Sequence, residues 1–427
     1  MLHLYGDART RGEAHGRLLS AQLLAFANTE MDQFYRQYVS QLDLSGLPSW
    51  LQLAIRKLLL PGAEAAAPAA FHLALEWLER EQLKYNNASA ARLYEEMAGI
   101  AHGACAAAEE VTAASGVRRA GDSNGACDEA QLLRTIHRLN MLPDLIHMQC
   151  SMLGAWGDAT ANGKLVQLRS LDFGGGPFGN NSVLLVHHPA GTGLQPAGRP
   201  FAALSFPGFV GVVTGVSPRV ALSEKVNDIH GGGTPAGSYS GESTAFVIRE
   251  MLELADTKEA AHAIAQAATR TWGVWLGVGD AASQRFVAIE YMRASAHAYN
   301  DSTLPALTGQ PPLPDVAYID KHAQPSADPL LHKVLAPQVG RITSRCASGT
   351  TAQAAPRQQH RASSTAPAVP SAHAPSAPHV SGSDACAMLQ CFYRRLTLPP
   401  RGAARAQVRR TERAAPDAVR RRAHCGL

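Results

Sequence analysis

The chain has 427 residues, 46% of them apolar and 17% charged, so it can bury a sizeable core and is too apolar to be disordered throughout. Its formal net charge of +4 owes much to arginines crowded between Arg394 and Arg422, and the near-neutral remainder argues against a nucleic-acid-binding core. The most apolar stretch, Phe201 to Leu222, is interrupted by Pro207, Pro218 and several glycines, well short of the roughly 18 uninterrupted apolar residues of a membrane span.

The first residues, Met1-Leu-His-Leu-Tyr-Gly, lack the basic, apolar and small-residue sections of a secretory signal, so the expectation is an intracellular chain or a missing true start. Residues 16 to 104 are expected to be helical, with Leu18, Leu19, Leu23, Trp50, Leu51, Leu58, Leu75 and Leu78 spaced for apolar faces. Pro61 and Gly62, followed by an alanine-rich run, mark a break between helices. Gly116, Gly121, Asn124 and Gly125 predict a loop from about Thr112 to Asp128. A helix over Glu129 to Met141 then ends before Pro143.

At Cys150 the pattern turns strand-like. Leu165 to Leu168, Ser182 to His187, Phe209 to Val213 and Val220 to Ser223 are short Val- and Leu-rich runs bounded by Gly, Pro or Asn. Two helices follow, Ser243 to Leu254 and Thr257 to Ala268, each opened by a residue able to cap free N–H groups. Strands over Trp272 to Val278 and Phe286 to Tyr291 complete a pattern that predicts an α+β fold and not a parallel βαβ sheet. From Ala347 to Leu427 the sequence is Ala, Pro, Ser, Thr, Gln and His without periodicity, then arginine-rich, and is expected to be mostly disordered. The division expected is 1–149 helical, 150–346 core and 347–427 tail.

The segment from Cys150 to Asp172 carries the chemistry. Its first strand opens on Cys150, a Gly-Lys turn after Asn162 reverses the chain, and the returning strand brings Arg169 and Asp172 back beside the first. A thiol with a reference pKa of about 8.5 is only a few per cent thiolate at neutral pH and needs a base or a cation. Cutting the bond between Gln149 and Cys150 would free an α-amine next to the sulfur, able to take its proton. Asp172 could hold the ammonium form and Arg169 could favour the thiolate. The competing reading is a buried cysteine beside an ordinary strand-end ion pair. The seven cysteines, Cys105, Cys127, Cys150, Cys346, Cys386, Cys391 and Cys425, show neither paired metal spacing nor a disulfide framework.

Several ordered segments carry a family resemblance: Leu4-Tyr-Gly, Arg11-Gly-Glu-Ala-His15-Gly16-Arg-Leu-Leu, Asn140-Met-Leu-Pro143-Asp-Leu, Cys150-Ser-Met-Leu-Gly-Ala-Trp156-Gly, Leu168-Arg-Ser-Leu-Asp172-Phe, Thr214-Gly-Val-Ser217 and Leu276-Gly-Val-Gly-Asp280. Together they resemble the acid-ceramidase-like branch of the N-terminal-nucleophile (Ntn) hydrolases, whose relatives include N-acylethanolamine acid amidase, choloylglycine hydrolase and penicillin acyltransferase. The resemblance runs from about Leu2 to Thr343. It implies a four-layer αββα sandwich, autocatalytic cleavage before the cysteine, and hydrolysis of a linear amide through a thioester.

Carried over, Cys150 matches the nucleophile, Arg169 and Asp172 match the Arg-x-x-Asp pair, and Glu224 falls where relatives place a glutamate, a position that a solvated strand-end carboxylate would fill equally well. Relatives often take their oxyanion donor from an asparagine and a later arginine. The segment Tyr318-Ile-Asp-Lys-His322 lies in that region without the asparagine, so Asp320, Lys321 and His322 stand as candidates beside a solvated loop, with backbone N–H groups as substitutes. The final strands that the family places after about Thr343 are replaced by the low-complexity tail.

The implied substrates are N-acylated lipids such as ceramides or N-acylethanolamines, with transient membrane-surface contact, residues 2–149 retained as a cleaved partner segment, and a lysosomal or secreted setting. A bile-acid-like or β-lactam side-chain amide, acyl transfer, and an inactive homologue lacking terminal strands remain alternatives. No cofactor or metal is expected, since a thiol, an amine and polar donors suffice. His15 is expected to pack at a helix start. His187 and His188 should point to opposite faces of a strand, unable to share one metal ion. Gly174, Gly175 and Gly176 form a turn and not a phosphate loop, and Trp272 and Trp275 are expected in the core or a pocket wall.

Overall fold

The computed structural model describes residues 1–60, 63–85, 88–115, 127–146, 150–160, 162–171, 177–191, 198–226, 239–271, 273–303 and 316–319. Chain order begins with strand β1 (Leu2–Gly6), then helices α1 (Ala8–Leu18), α2 (Ser20–Ala25), α3 (Met31–Tyr38), α4 (Ser49–Leu59), α5 (Ala63–Gln82), α6 (Ala88–Ser115) and α7 (Glu129–Met141). Strands β2 (Cys150–Gly157) and β3 (Gly163–Leu171), the short helix α8 (Pro177–Asn180), and strands β4 (Val183–Pro189), β5 (Phe201–Ser205), β6 (Thr214–Val216) and β7 (Val220–Val226) follow. Helices α9 (Thr244–Leu254) and α10 (Lys258–Ala267) precede β8 (Val274–Asp280), β9 (Arg285–Tyr291), β10 (Ala296–Tyr299) and β11 (Val316–Ile319).

These strands make a mixed eight-stranded sheet, β1-β4-β5-β6-β7-β8-β9-β10, and a three-stranded sheet, β11-β2-β3. Among the described residues, only the β1–β4 pair in the larger sheet is parallel. One face of that sheet lies under helices, and β2 and β3 pack over β7, β8 and β9 on the other. The α+β class is therefore as expected, with a helical N-terminal segment and a mixed-sheet core. Layers of helix, large sheet and small sheet are seen among the described residues.

Among the described residues two apolar clusters divide the interior. The larger is built from α2 to α7 together with β5, β7, β8, β9 and α9. The smaller lies between the sheets and holds Met152, Trp156, Trp275, Phe286 and Ala288, which places Trp275 in the core. A Cβ on Gly154 would stand 2.2 Å from the Phe286 ring, and one on Gly277 2.6 Å from it, so these glycines make room for that ring between the sheets.

Helices α1 and α6 cross with their backbones almost touching. Gly12 and Gly16 on one and Gly99 and Gly103 on the other interlock, and a Cβ on any of the four would sit 2.0 to 2.4 Å from a carbonyl oxygen of the opposite helix. Beside the crossing, the Glu96 carboxylate is bound by Arg11 at 2.8 Å and by Arg249 at 2.7 Å, and Arg249 also binds Glu253 at 2.9 Å. All four side chains are buried, and Arg92 closes the network onto Glu253. The network joins residues before Cys150 to residues after it, so the N-terminal segment is part of one packed body with the core.

Asn140, at the end of α7, strengthens the same junction. Its amide nitrogen donates to the carbonyls of Ile136 and Gly208, both at 2.9 Å, and its oxygen accepts from the amides of Val210 (2.8 Å) and Gly211 (3.1 Å). This explains a departure from expectation: Phe209 to Val213 is no strand. It is buried irregular backbone whose polar groups are taken by Asn140, by the Ala245 carbonyl and by the Glu224 amide.

Other differences have equally local causes. Strand β1, not anticipated from a short apolar start, is held by parallel pairing with β4, a contact 183 residues away in sequence, as in Leu2 opposite Leu185. Helix α6 runs on to Ser115, past the expected loop start at Thr112. The alanine-rich run after residue 62 is the first part of α5, which carries Pro68 within it. Thr257 caps α10, accepting from the Ala260 amide, but the Ser243 side chain makes no cap bond to α9. Cys105 and Cys127 form a disulfide, with Cα atoms 5.2 Å apart, where α6 meets the start of α7. That corrects the reading of the cysteines, since an irregular spacing of 22 residues acquires meaning only once two helices bring its ends together.

Candidate functional site

Strand β2 opens on Cys150, whose backbone pairs with Leu171 of β3, and this antiparallel register sets Met152 opposite Arg169. The Cys150 side chain is buried. Arg169 reaches it from β3: one guanidinium nitrogen donates to the Cys150 sulfur at 3.1 Å and to Glu224 Oε2 at 3.1 Å, while Nε donates to the Glu224 carbonyl at 3.0 Å. Glu224 comes from β7 of the large sheet, so a single arginine spans the gap between the sheets and ties the Cys150 sulfur to the carboxylate. Arg169 and Glu224 side chains are only 4% and 7% exposed. Such a desolvated, doubly bonded pair holds its geometry far better than a surface ion pair would.

Electrostatics leave the thiol protonated. Burial pushes its pKa up to about 11, with Glu224 adding to the rise and Arg169 and Lys225 opposing it. Burial likewise raises Glu224 above the ordinary carboxylate range, against the pull of Arg169 and Lys225 and with help from the nearby charge of Asp144. Lys225 is itself buried and donates to the Val226 carbonyl at 2.8 Å. Cys150 is internal to the chain, so no N-terminal nucleophile exists as the chain stands.

A small cavity adjoins the carboxylate. Asp144 and Glu224 both face it, among apolar walls supplied by Ile146, Val213, Val226 and Ile248. Among the described residues it is small, with room for about one water.

Of the residues singled out from sequence, the fold brings together Cys150, Arg169 and Glu224. Asp172, the Gly174–Gly176 turn, Trp272, Asp320, Lys321, His322 and residues 347–427 lie outside the described residues. His15 is buried in α1, with Nε2 accepting from the Gly208 amide at 3.1 Å. Burial lowers its pKa to about 4. His187 and His188 do diverge: His187 is buried, stacked on Phe201 and 3.7 Å from Glu96, whereas His188 stacks on Tyr5 and meets His3 at 3.0 Å. Among the described residues no cluster of three or more His, Cys, Asp or Glu could hold a metal, and no helix is long and apolar enough to cross a membrane. Asp144 and Lys225 were not foreseen, because an isolated acid after a proline and a lysine within a strand carry no chemical signature until the sheets close around them.

No family model matches the chain. It is 31% identical to Protein dcd1A of Dictyostelium discoideum over 351 residues, which cover 80% of this chain and 70% of that protein. To Protein dcd1B of the same organism it is 28% identical over 366 residues, covering 83% of this chain and 63% of the relative. Among solved structures, a Caenorhabditis elegans N-acylethanolamine-hydrolyzing acid amidase (NAAA) ortholog aligns with 35% of this chain and 64% of its own, at 16% identity and a TM-score of 0.27, a distant likeness.

Proposed function

We propose that this chain, which belongs to the family of the Dictyostelium discoideum protein dcd1A, is a self-processing amidase with Cys150 as its nucleophile, acting on linear amides of N-acyl lipids. The observation that carries the reading is the Arg169 guanidinium, held between the Cys150 sulfur and the Glu224 carboxylate at 3.1 Å from each. A buried cysteine kept only for packing has no use for a desolvated arginine aimed at its sulfur.

The uncut chain is dormant on this reading. A thiol with a pKa near 11 presents on the order of one thiolate in ten thousand at neutral pH. Arg169 supports the anion when it forms, and Glu224 keeps Arg169 in place. In the maturation step the Cys150 sulfur adds to the Gln149 carbonyl, the Gln149–Cys150 C–N bond breaks as the nitrogen takes the thiol proton, and water hydrolyses the resulting thioester. The products are a carboxylate on Gln149 and a free amine on Cys150.

That amine, with a reference pKa of about 7.7 to 8.0, becomes the base that the buried thiol lacks. In turnover it accepts the thiol proton, the sulfur attacks the substrate carbonyl, and the leaving amine departs with the proton. Water then cleaves the acyl thioester. Asp172 is assigned the task of holding the ammonium form, residues 1–149 remain as the smaller partner of a core spanning 150–346, and the layers complete an Ntn-type αββα sandwich.

N-terminal sequencing and intact mass after incubation at acidic and neutral pH test the proposal, with turnover of an N-acylethanolamine and a ceramide followed in parallel. A new chain beginning at Cys150, together with amide hydrolysis, is expected from the wild type and neither from Cys150→Ala. Hydrolysis that survives in Cys150→Ala, or a wild type that stays uncut at every pH, would overturn it.

A further inference from the structure

Strand β1 and strand β4 bring two histidines together at the edge of the large sheet. The strands run parallel, with His3 opposite Val186 and Tyr5 opposite His188. Residues two apart on a strand share a face, so His3, Tyr5 and His188 project from one side of the sheet, away from the buried Leu4 and His187. His3 and His188 are diagonal neighbours there, with Nδ1 of His3 standing 3.0 Å from Nε2 of His188. The Tyr5 ring lies flat against His188, centroids 4.2 Å apart and planes 5° from parallel, and His3 and Tyr5 are exposed to solvent. His187 and His188 cannot share an ion because neighbours on a strand diverge. Parallel pairing supplies what the sequence neighbour could not, a second imidazole on the face that His188 occupies.

Two imidazole nitrogens this close can share either a proton or a cation. At a metal–nitrogen distance of about 2.0 to 2.1 Å, a separation of 3.0 Å gives a nitrogen–metal–nitrogen angle of about 90 to 100°. That fits neighbouring positions of square-planar or octahedral coordination, and it is narrower than the tetrahedral angle of about 109° preferred at zinc. Cupric and nickel ions adopt the former geometries with nitrogen ligands, and copper binds most tightly among the divalent first-row metals.

We propose that His3 and His188 form a surface site for a cupric or nickel ion, with water in the remaining coordination positions. Among the described residues no group of three His, Cys, Asp or Glu assembles there, so the site is a two-ligand chelate of modest affinity, open on its solvent side. When the ion binds, the ring that donated the shared proton carries it on its other nitrogen, so two lone pairs meet the metal and no proton is lost. Stacking on Tyr5 holds the His188 ring in advance, which lowers the entropy lost on chelation. The bound ion bridges β1 to β4 and fastens the first strand of the chain to the core sheet. The site is independent of the chemistry at Cys150.

Calorimetric titration of the full chain, carrying no histidine tag, with cupric or nickel chloride tests the site, and electron paramagnetic resonance of the copper-loaded protein counts its nitrogen ligands. One ion per chain and two coupled imidazoles are expected from the wild type. His3→Ala and His188→Ala should each weaken binding at least about tenfold, since loss of even an outer-shell partner costs that much, and each should leave one imidazole on the copper. Added nickel should raise the urea midpoint of the wild type and of neither variant. A His188→Ala chain that binds as tightly as wild type overturns the inference. So does a wild type whose copper signal shows a single imidazole, a count that needs no variant to fold.

Discussion

Placing a methyl group at the α1–α6 crossing tests whether the N-terminal segment and the core are as tightly joined as the structure shows. In Gly12→Ala the new Cβ would lie 2.0 Å from the Glu96 carbonyl oxygen, and since that oxygen is backbone, relief requires the helices to part by about 1 Å. A gap of that size forfeits a quarter to a half of each dispersion contact, about 2 kcal/mol over a few tens of atom pairs. The Arg11–Glu96 bond would stretch from 2.8 Å to beyond hydrogen-bonding range, at a cost of about 1 to 3 kcal/mol for a buried charged pair. Alanine's better helix propensity returns about 1 kcal/mol. The net expectation is a loss of about 2 to 4 kcal/mol, read from the urea midpoint at unchanged slope. Gly179→Ala is the control, because a Cβ there meets nothing within 4 Å. A Gly12→Ala midpoint indistinguishable from that control would refute the close crossing.

Two further outcomes concern pH and redox state. His15 is buried neutral with a pKa near 4, below the unfolded value of 6.5, so the unfolded chain binds more protons in between. Its contribution to stability is complete above pH 6.5 and is lost as pH falls toward 4, about 3 kcal/mol in all. His15→Gln, which keeps an acceptor for the Gly208 amide, should flatten the stability profile in that window, and urea denaturation at half-unit pH steps would show it. Reduction of the Cys105–Cys127 bond releases a loop of 22 residues and should cost about 3 kcal/mol, measured as a shift in denaturation midpoint with and without a phosphine reductant.

Cys150 and Arg169 were legible in the sequence because each sits in a short ordered motif and the hairpin spacing by itself returns Arg169 to the neighbourhood of Cys150, whereas Glu224 stood out only through the family resemblance. Helices α7, α9 and α10 were legible for a similar reason: apolar periodicity in all three, and the capping residues Asp128 of α7 and Thr257 of α10, act within a few positions of one another. The irregular path of Phe209 to Val213 was not legible, since a Val- and Leu-rich run becomes a strand only if no other partner claims its amides, and Asn140 does.

Tertiary packing alone decided the rest. Gly12-Glu-Ala-His-Gly16 and Gly99-Ile-Ala-His-Gly103 can be seen in the chain as spaced glycines, but only the crossing shows that they face each other. The partners of Asp144 lie 62 and 100 residues away, and those of Glu96 85 and 153 residues away. Sequence determines which residues can bury, turn or ionise. Which charges meet, and at what cost in desolvation, is settled by the sheets and helices closing around them, because burial and Coulomb attraction depend on distance in space and not along the chain.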